Sequence, residues 1–351
     1  MNVFQVAGST IVDRGVQDKE QVQHAENVQT HVYTIRKRWR VWLKAFQHIL
    51  PVYIVTHIAF LILTYLANLF LIGDFSPKTL RISSMLELWN RWDTGQFTDI
   101  ATKGYDGAWR TAFFPLYPLL EKSLSFVMHP YPAGLLIANI ATLGLFTVFY
   151  RLVQEETSEI QAKRSLFYLA IFPTAFFFAA AYNESLFLLF VVSCVYQMRH
   201  SNWLLAGIFG LCASLTRSAG VLLILPFCYE YMRQCSFRIR TIRFGVTAGV
   251  LIPAGLSLFM LYCYQRFHDA MAFSHAQSVW GRSLQFPWQG YSSAWHVIRT
   301  HPVLSFNGIH NVMDMVAGLF MLVLVVLCCV GPWRFTRERS VYAVYAVSFY
   351  L

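Results

Sequence analysis

Apolar residues in this chain come in long blocks separated by short polar stretches. The blocks run over 46–72, 133–153, 165–181, 185–199, 203–229, 244–264 and 313–332, with a last apolar run from 340. Several reach or approach the ~20 residues that a helix needs to cross a hydrocarbon core of ~30 Å. Strand-like alternation with evenly spaced turns is missing, which argues against a closed β-barrel. A helix satisfies every backbone polar group within its own segment, so helices are the remaining spanning solution. The pattern predicts an all-α polytopic membrane protein.

Two units follow. Residues 1–45 form a basic N-terminal segment, Gln-rich and expected to be disordered through 35, ending in Arg36, Lys37, Arg38, Arg40 and Lys44. Residues 46–351 form one transmembrane domain with two long outer loops, 73–132 and 265–312, the first holding juxtamembrane helices. The apolar block after the basic cluster is too long, and too far from the start, for a cleaved signal peptide. It reads as a first membrane anchor. The closing run, 340–351, is short for a full crossing.

Composition agrees with the blocks. Of 351 residues, 56% are hydrophobic and 13% charged, against ~25% charged in soluble domains; the mean hydropathy is +0.45. The net charge of +10 is spread beside apolar blocks, as topology signals and contacts to anionic membrane lipids are. Nucleic acid is not an expected partner. The Lys/Arg-rich stretches place the N-terminus, 151–164, 199–202, 231–243 and 333–339 in the cytoplasm. Satisfying all of them makes 203–229 a hairpin with Thr216 and Arg217 at its outer tip. A straight crossing would bury Arg217 mid-membrane at ~2.5 kcal/mol or more. About nine traversals result.

That topology puts Asp93, Asp99, Asn183, Glu184, Thr216, Arg217 and the second outer loop on one face. If 85–97 is helical, Met85, Trp89, Trp92 and Phe97 share an apolar stripe suited to an interface, with Asp93 beside it. Two readings of Asp93 stand: a partly desolvated base for a hydroxyl proton, or a wet helix-flanking carboxylate. Asp99 is a second carboxylate candidate, whereas Asp106-Gly107 reads as a turn. The run Phe113-Phe114-Pro115-Leu116-Tyr117-Pro118 reads as a rigid aromatic re-entry into the interface. Glu184 either starts the following helix or contacts substrate. Arg217 either anchors lipid or binds phosphate with its planar fork.

Other chemistries lack a pattern. His268, His275, His296, His301 and His310 show no HxH or HExxH spacing, and none of the seven cysteines forms a CxxC pair, so neither a metal site nor a disulfide framework is expected. No Walker loop, GxGxxG or GxSxG occurs. No cofactor is expected, with divalent metal left open.

Three blocks together resemble the PIG-V family of mannosyltransferases. The first is Trp92-Asp93 with Phe97, Ile100-Ala101, Gly104-Tyr105 and Ala112 through Pro118. The second is Phe172-Pro173-Thr174-Ala175-Phe176-Phe177 followed by Ala181-Tyr182-Asn183-Glu184-Ser185-Leu186-Phe187. The third is Leu215-Thr216-Arg217-Ser218-Ala219-Gly220. The resemblance implies a GT-C glycosyltransferase, a helix bundle that takes a sugar from a polyprenyl-phosphate donor, classically dolichyl-phosphate mannose, on the non-cytoplasmic face. The eukaryotic enzyme adds the second mannose of the GPI anchor; a prokaryotic homologue is expected here. The implied location is the cell membrane of a prokaryote, or the endoplasmic reticulum membrane of a eukaryote. By resemblance Asp93 is the general base of an inverting transfer to a lipid or glycan acceptor. Trp92, Asp99, Asn183, Glu184 and Arg217 are expected to bind substrate or donor. The family usually has Ser before the Glu of the second block, where this chain has Asn183. The alternative is a flippase for a lipid-linked sugar, for which internal repeats are expected and none is visible.

Overall fold

The computed structural model describes residues 39–72, 81–241, 244–281, 287–300, 302, 305–331 and 334–350. Most of the expected N-terminal segment, and His301, lie outside the described residues. Everything described is helix, turn or irregular chain, with no strand. The helices are α1 (Trp39–Phe70), α2 (Ile82–Glu87), α3 (Asp93–Lys103), α4 (Leu116–Leu124), α5 (Pro130–Glu156), α6 (Glu159–Ala170) and α7 (Glu184–Arg199). They continue with α8 (Trp203–Thr216), α9 (Ile224–Gln234), α10 (Leu251–Phe267), α11 (Ala272–His275), α12 (Pro287–Thr300), α13 (Phe306–Cys329) and α14 (Ser340–Tyr350).

Among the described residues, four helices are long and apolar enough to cross a membrane: Trp39–Phe70, Pro130–Glu156, Phe244–Phe267 and Gly308–Cys329. This is a helical protein of membrane type. Helix α1 is already helical at Trp39, ahead of the expected block boundary at 46, with Ala45 and Ile49 buried, so the basic residues Arg40 and Lys44 ride on it. Helices α7 and α8 are shorter, at 16 and 14 residues, or about 24 and 21 Å at ~1.5 Å per residue.

The centre of the bundle is α5, α7, α8 and α10, each packed on the next. Small residues let α8 meet α10, and the 3-10 stretch Phe244–Val250 that leads into it, backbone to backbone. A Cβ at Gly207 would lie 2.3 Å from the Ala248 carbonyl oxygen, and one at Gly255 would lie 2.5 Å from that of Leu211. Such contacts suit helices in lipid, where association rests on close packing rather than on hydrophobic exclusion.

Charge gathers at one end of this bundle. Arg199, at the end of α7, donates to Glu156 of α5 (2.6 Å) and to Glu230 of α9 (3.0 Å), and also to the Glu338 carbonyl before α14 (2.8 Å). Glu230 is fully buried and also accepts from Arg233 through both carboxyl oxygens, at 2.6 and 2.7 Å. A buried carboxylate is tolerated only when paired and hydrogen-bonded in this way. The basic stretches predicted to share one face thus meet at one end, and the opposite end carries the starts of α3 and α7.

One expected span takes another shape, and the expected hairpin forms. The block 165–181 is α-helical only to Ala170, because Pro173 lacks an N–H and disfavours helix at the residue before it; a single 3-10 turn, Ala175–Phe178, follows. Ala179, Ala180 and Ala181 are fully buried yet not helical. Side chains replace the missing ladder: the carbonyl oxygens of Phe178, Ala179 and Ala181 accept from Thr142 (2.7 Å), Asn139 (3.1 Å) and Thr94 (3.2 Å). The block 203–229 does reverse at Arg217, which is extended, before a 3-10 stretch, Ser218–Leu223. Gly220 makes that reversal tight, since its Cβ would lie 2.4 Å from the Ala213 carbonyl carbon.

Candidate functional site

Asp93 is placed by a sharp break between α2 and α3. Trp89 turns inward, where its Nε1 donates to Thr64 of α1 (2.8 Å) and its ring meets Phe176 edge-on. Three residues later Trp92 adopts φ +53° and points outward, 75% exposed. The predicted continuous stripe is therefore not formed, because the helix stops at Glu87 and restarts at Asp93. Tyr182 steadies the turn by donating to the Arg91 carbonyl (3.1 Å). Phe97, one turn into α3, is buried against Phe113 and Tyr117. Asp93 is left half-buried in the first turn of α3, where unpaired amide groups favour a carboxylate.

The second contribution comes from α7 and the end of α8. Glu184 opens α7, and its Oε1 accepts from Arg217 Nη1 at 2.6 Å. Asn183 ties the same two segments twice. Its Nδ2 donates to the Thr216 carbonyl (3.1 Å), and its Oδ1 accepts from Arg217 (3.4 Å). The Arg217 side chain remains 41% exposed.

These pieces border one cavity of about 680 Å³, within the ~300–1,000 Å³ usual for ligand sites. Asp93, Asn183, Glu184, Thr216 and Arg217 line it. Phe97, Phe113, Phe114 and Phe187 add an aromatic wall, so the predicted aromatic ledge borders the same space. Tyr182 stands beside both acids. Burial first, then the negative charges of Asp93 and Glu184, hold its phenol well above the ordinary range, so it stays a neutral hydrogen-bond donor. The two carboxylates are also the oxygen donors that hard divalent cations take, although Glu184 is engaged by Arg217.

Two expected donor-binding residues are not brought in. Trp92 points away from the cavity. Asp99 pairs with Arg110 (2.9 Å) and Lys103 (3.1 Å), while Arg110 also reaches Asp106 (2.8 Å). The hydrogen bond from Arg110, foremost, holds the Asp99 carboxyl below its usual range. The reason is helical phase: Asp99 lies away from the face of α3 that carries Asp93 and Phe97. Among the histidines, His275 pairs with Asp269 (2.7 Å) and His310 with Asp314 (3.4 Å).

Some cavity residues had no signal in the sequence. Ser274, Gln277 and Trp280, from the second long connection, line the wall with Met271 and Phe273. The topology reading set the whole loop on the same face as Asp93, but nothing in the sequence singled out these residues. Phe349 of α14 reaches the cavity as well, from a helix whose start lies at the charged end.

Compared with models of known protein families, with curated proteins and with solved structures, the chain matches none.

Proposed function

We propose that the protein is a membrane glycosyltransferase that moves a sugar, by resemblance mannose, from a polyprenyl-phosphate donor to a hydroxyl of a lipid or glycan acceptor, with inversion. The observation that carries this reading is the meeting of Asp93, Glu184, Asn183 and Arg217 on one cavity. They come from three separate blocks, the same three on which the resemblance to the PIG-V family rests.

The chemistry required is modest. A donor already linked through phosphate carries its own leaving group, so catalysis needs a base, a cation for the departing phosphate and fixed geometry. Asp93 is the base that takes the acceptor proton as the acceptor oxygen attacks the anomeric carbon. Arg217 meets the phosphate oxygens as the C–O bond to the leaving group breaks. Glu184 and Asn183 hold Arg217 in place. The aromatic wall accommodates apolar lipid.

The test is transfer from polyprenyl-phosphate mannose by purified protein in lipid, with Asp93→Asn as the decisive variant. Loss of a general base lowers the rate by about 10²–10⁴-fold; full activity in Asp93→Asn removes Asp93 from the role.

A second reading, a flippase for lipid-linked sugar, is favoured by the break in α-helix over 171–182 inside the bundle, since transporters build sites at broken helices. Movement of the lipid across a vesicle without transfer would establish it instead.

A further inference from the structure

Helix α4 buries a carboxyl that the proposed chemistry does not use. Glu121 is 0% exposed, and neither of its carboxyl oxygens has a hydrogen-bond partner among the described residues. Buried polar groups are nearly always partnered, so each orphan calls for a physical reason.

Its surroundings are specific. A Cβ added at Gly134 of α5 would lie 2.3 Å from Glu121 Oε1, and 3.2 Å from both Tyr117 Oη and the Ala181 Cβ. Carboxyl, phenol and methyl group thus converge on the bare Cα of Gly134. Tyr117 also donates to the Gly134 carbonyl (2.8 Å). Ala181 is the residue whose carbonyl accepts from Thr94, next to Asp93, and it stands three residues before Glu184. Glu121 therefore lies behind the junction that sets Asp93 against Glu184 and Arg217, without lining the cavity itself.

The charged and titratable groups nearby are few. Tyr117 faces the carboxyl from α4 itself. Tyr131 of α5 and Glu184 of α7 both act on that same phenol. The cation at the end of α8, Arg217, is held by Glu184. No cation is paired with Glu121 among the described residues, and burial alone acts on it, pushing the carboxyl up to about 9. At neutral pH it is a neutral acid.

We infer that Glu121 is a positioning residue: its neutral carboxyl lets Tyr117 and Ala181 close on Gly134, and ionisation forces them apart and misaligns Glu184 with Arg217. A carboxylate requires a hydration shell or partners, and both Glu121 oxygens are buried with no partner among the described residues. It would also set a second negative charge near Glu184. The inference rests on the transferase reading for its consequence in catalysis, whereas the packing change is measurable without it.

The linkage follows in sign. The folded value lies above the unfolded carboxyl value of ~4.3. The unfolded chain therefore gives up this proton first, and stability falls as pH rises from there to about 9.

The experiment places a fluorinated phenylalanine at Phe187, which lines the cavity one turn after Glu184, and follows its ¹⁹F resonance against pH in lipid. The expected result is a single step near pH 9 that is absent in Glu121→Gln. Transfer activity should fall about tenfold per pH unit above that step in the parent and stay flat in Glu121→Gln. Should Glu121→Gln fail to fold, Glu121→Met, apolar and of similar length, is compared in its place. The wild type must in either case lose thermal stability as pH rises through the neutral range. No step in the parent, a step that persists without the carboxyl, or a wild-type stability that does not fall, overturns the inference. If the step behaves as expected but no variant transfers sugar at any pH, the transferase reading fails while the positioning by Glu121 stands.

Discussion

The guanidinium of Arg217 donates a 2.6 Å hydrogen bond to Glu184 Oε1, joining the end of α8 to the start of α7. The pair lies 33 residues apart in sequence and borders the cavity from one side. Its geometry leaves Arg217 held but accessible.

That arrangement makes a graded series informative. Arg217→Ala should lower kcat/KM for polyprenyl-phosphate mannose by about 10²–10³-fold, the loss typical of removing one donor to developing negative charge. Arg217→Lys keeps charge but not the fork and should fall between. Melting temperature in detergent should change little, because the side chain is substantially exposed. Unchanged kinetics in both variants would remove Arg217 from the donor site.

The irregular segment ahead of α7 depends on α5. In Thr142→Val the Phe178 carbonyl loses its side-chain donor while shape is nearly kept. We expect a loss of about 1 kcal/mol, in line with a buried hydrogen bond removed from one side. Chemical denaturation in mixed micelles measures it. Asn139→Leu should act in the same direction through the Ala179 carbonyl, and the two losses should not be additive, since both donors hold adjacent peptide groups.

Acid sensitivity should arise at Asp99. Arg110 and Lys103 hold its carboxyl below the unfolded value of ~3.9. This stabilisation is fully present above that value and is lost as pH falls through the lower folded one. Asp99→Asn should therefore blunt the acid limb of a stability profile below pH ~4 and leave transfer at neutral pH intact, since Asp99 does not line the cavity. A large kinetic defect at neutral pH would show that it acts on substrate.

Sidedness is checked by Ser218→Cys, at an exposed position beside Arg217. An impermeant thiol reagent should label it from outside intact cells; labelling only after lysis would place the cavity on the cytoplasmic side.

The long apolar blocks were legible because a helix in lipid needs an unbroken apolar run: 133–153 and 244–264 each fall within a qualifying helix, and 313–332 is covered as far as Cys329. The reversal at Arg217 was legible for the opposite reason, a charge too costly to leave mid-block. The break at 171–182 was hidden because its residues are as apolar as helix residues. Only Pro173 marks it, and the carbonyl acceptors are satisfied by Thr94, Asn139 and Thr142, far away in sequence. Asp93, Asn183, Glu184 and Arg217 stood out as polar residues between apolar blocks and do share a cavity. Trp92 and Asp99 shared only sequence proximity, and a single left-handed residue with helical phase carried them elsewhere. Glu121 carried no motif; its burial depends on Gly134, which closes the contact.

The shortness of α8 bears on the lipid around the protein. Set in a bilayer, a helix of about 21 Å that turns Leu204, Leu205 and Ile208 outward meets a hydrocarbon layer of ~30 Å. Mismatch of this kind thins the adjacent leaflets at a cost of fractions of a kcal/mol per Å. Were α8 to cross the bilayer, the membrane beside Arg217 would be dimpled, and the phosphate belt of the surrounding lipids would dip toward the mouth of the cavity. A lipid-borne phosphate reaching Arg217 would keep its tail among its neighbours and would not need to be lifted out of the leaflet.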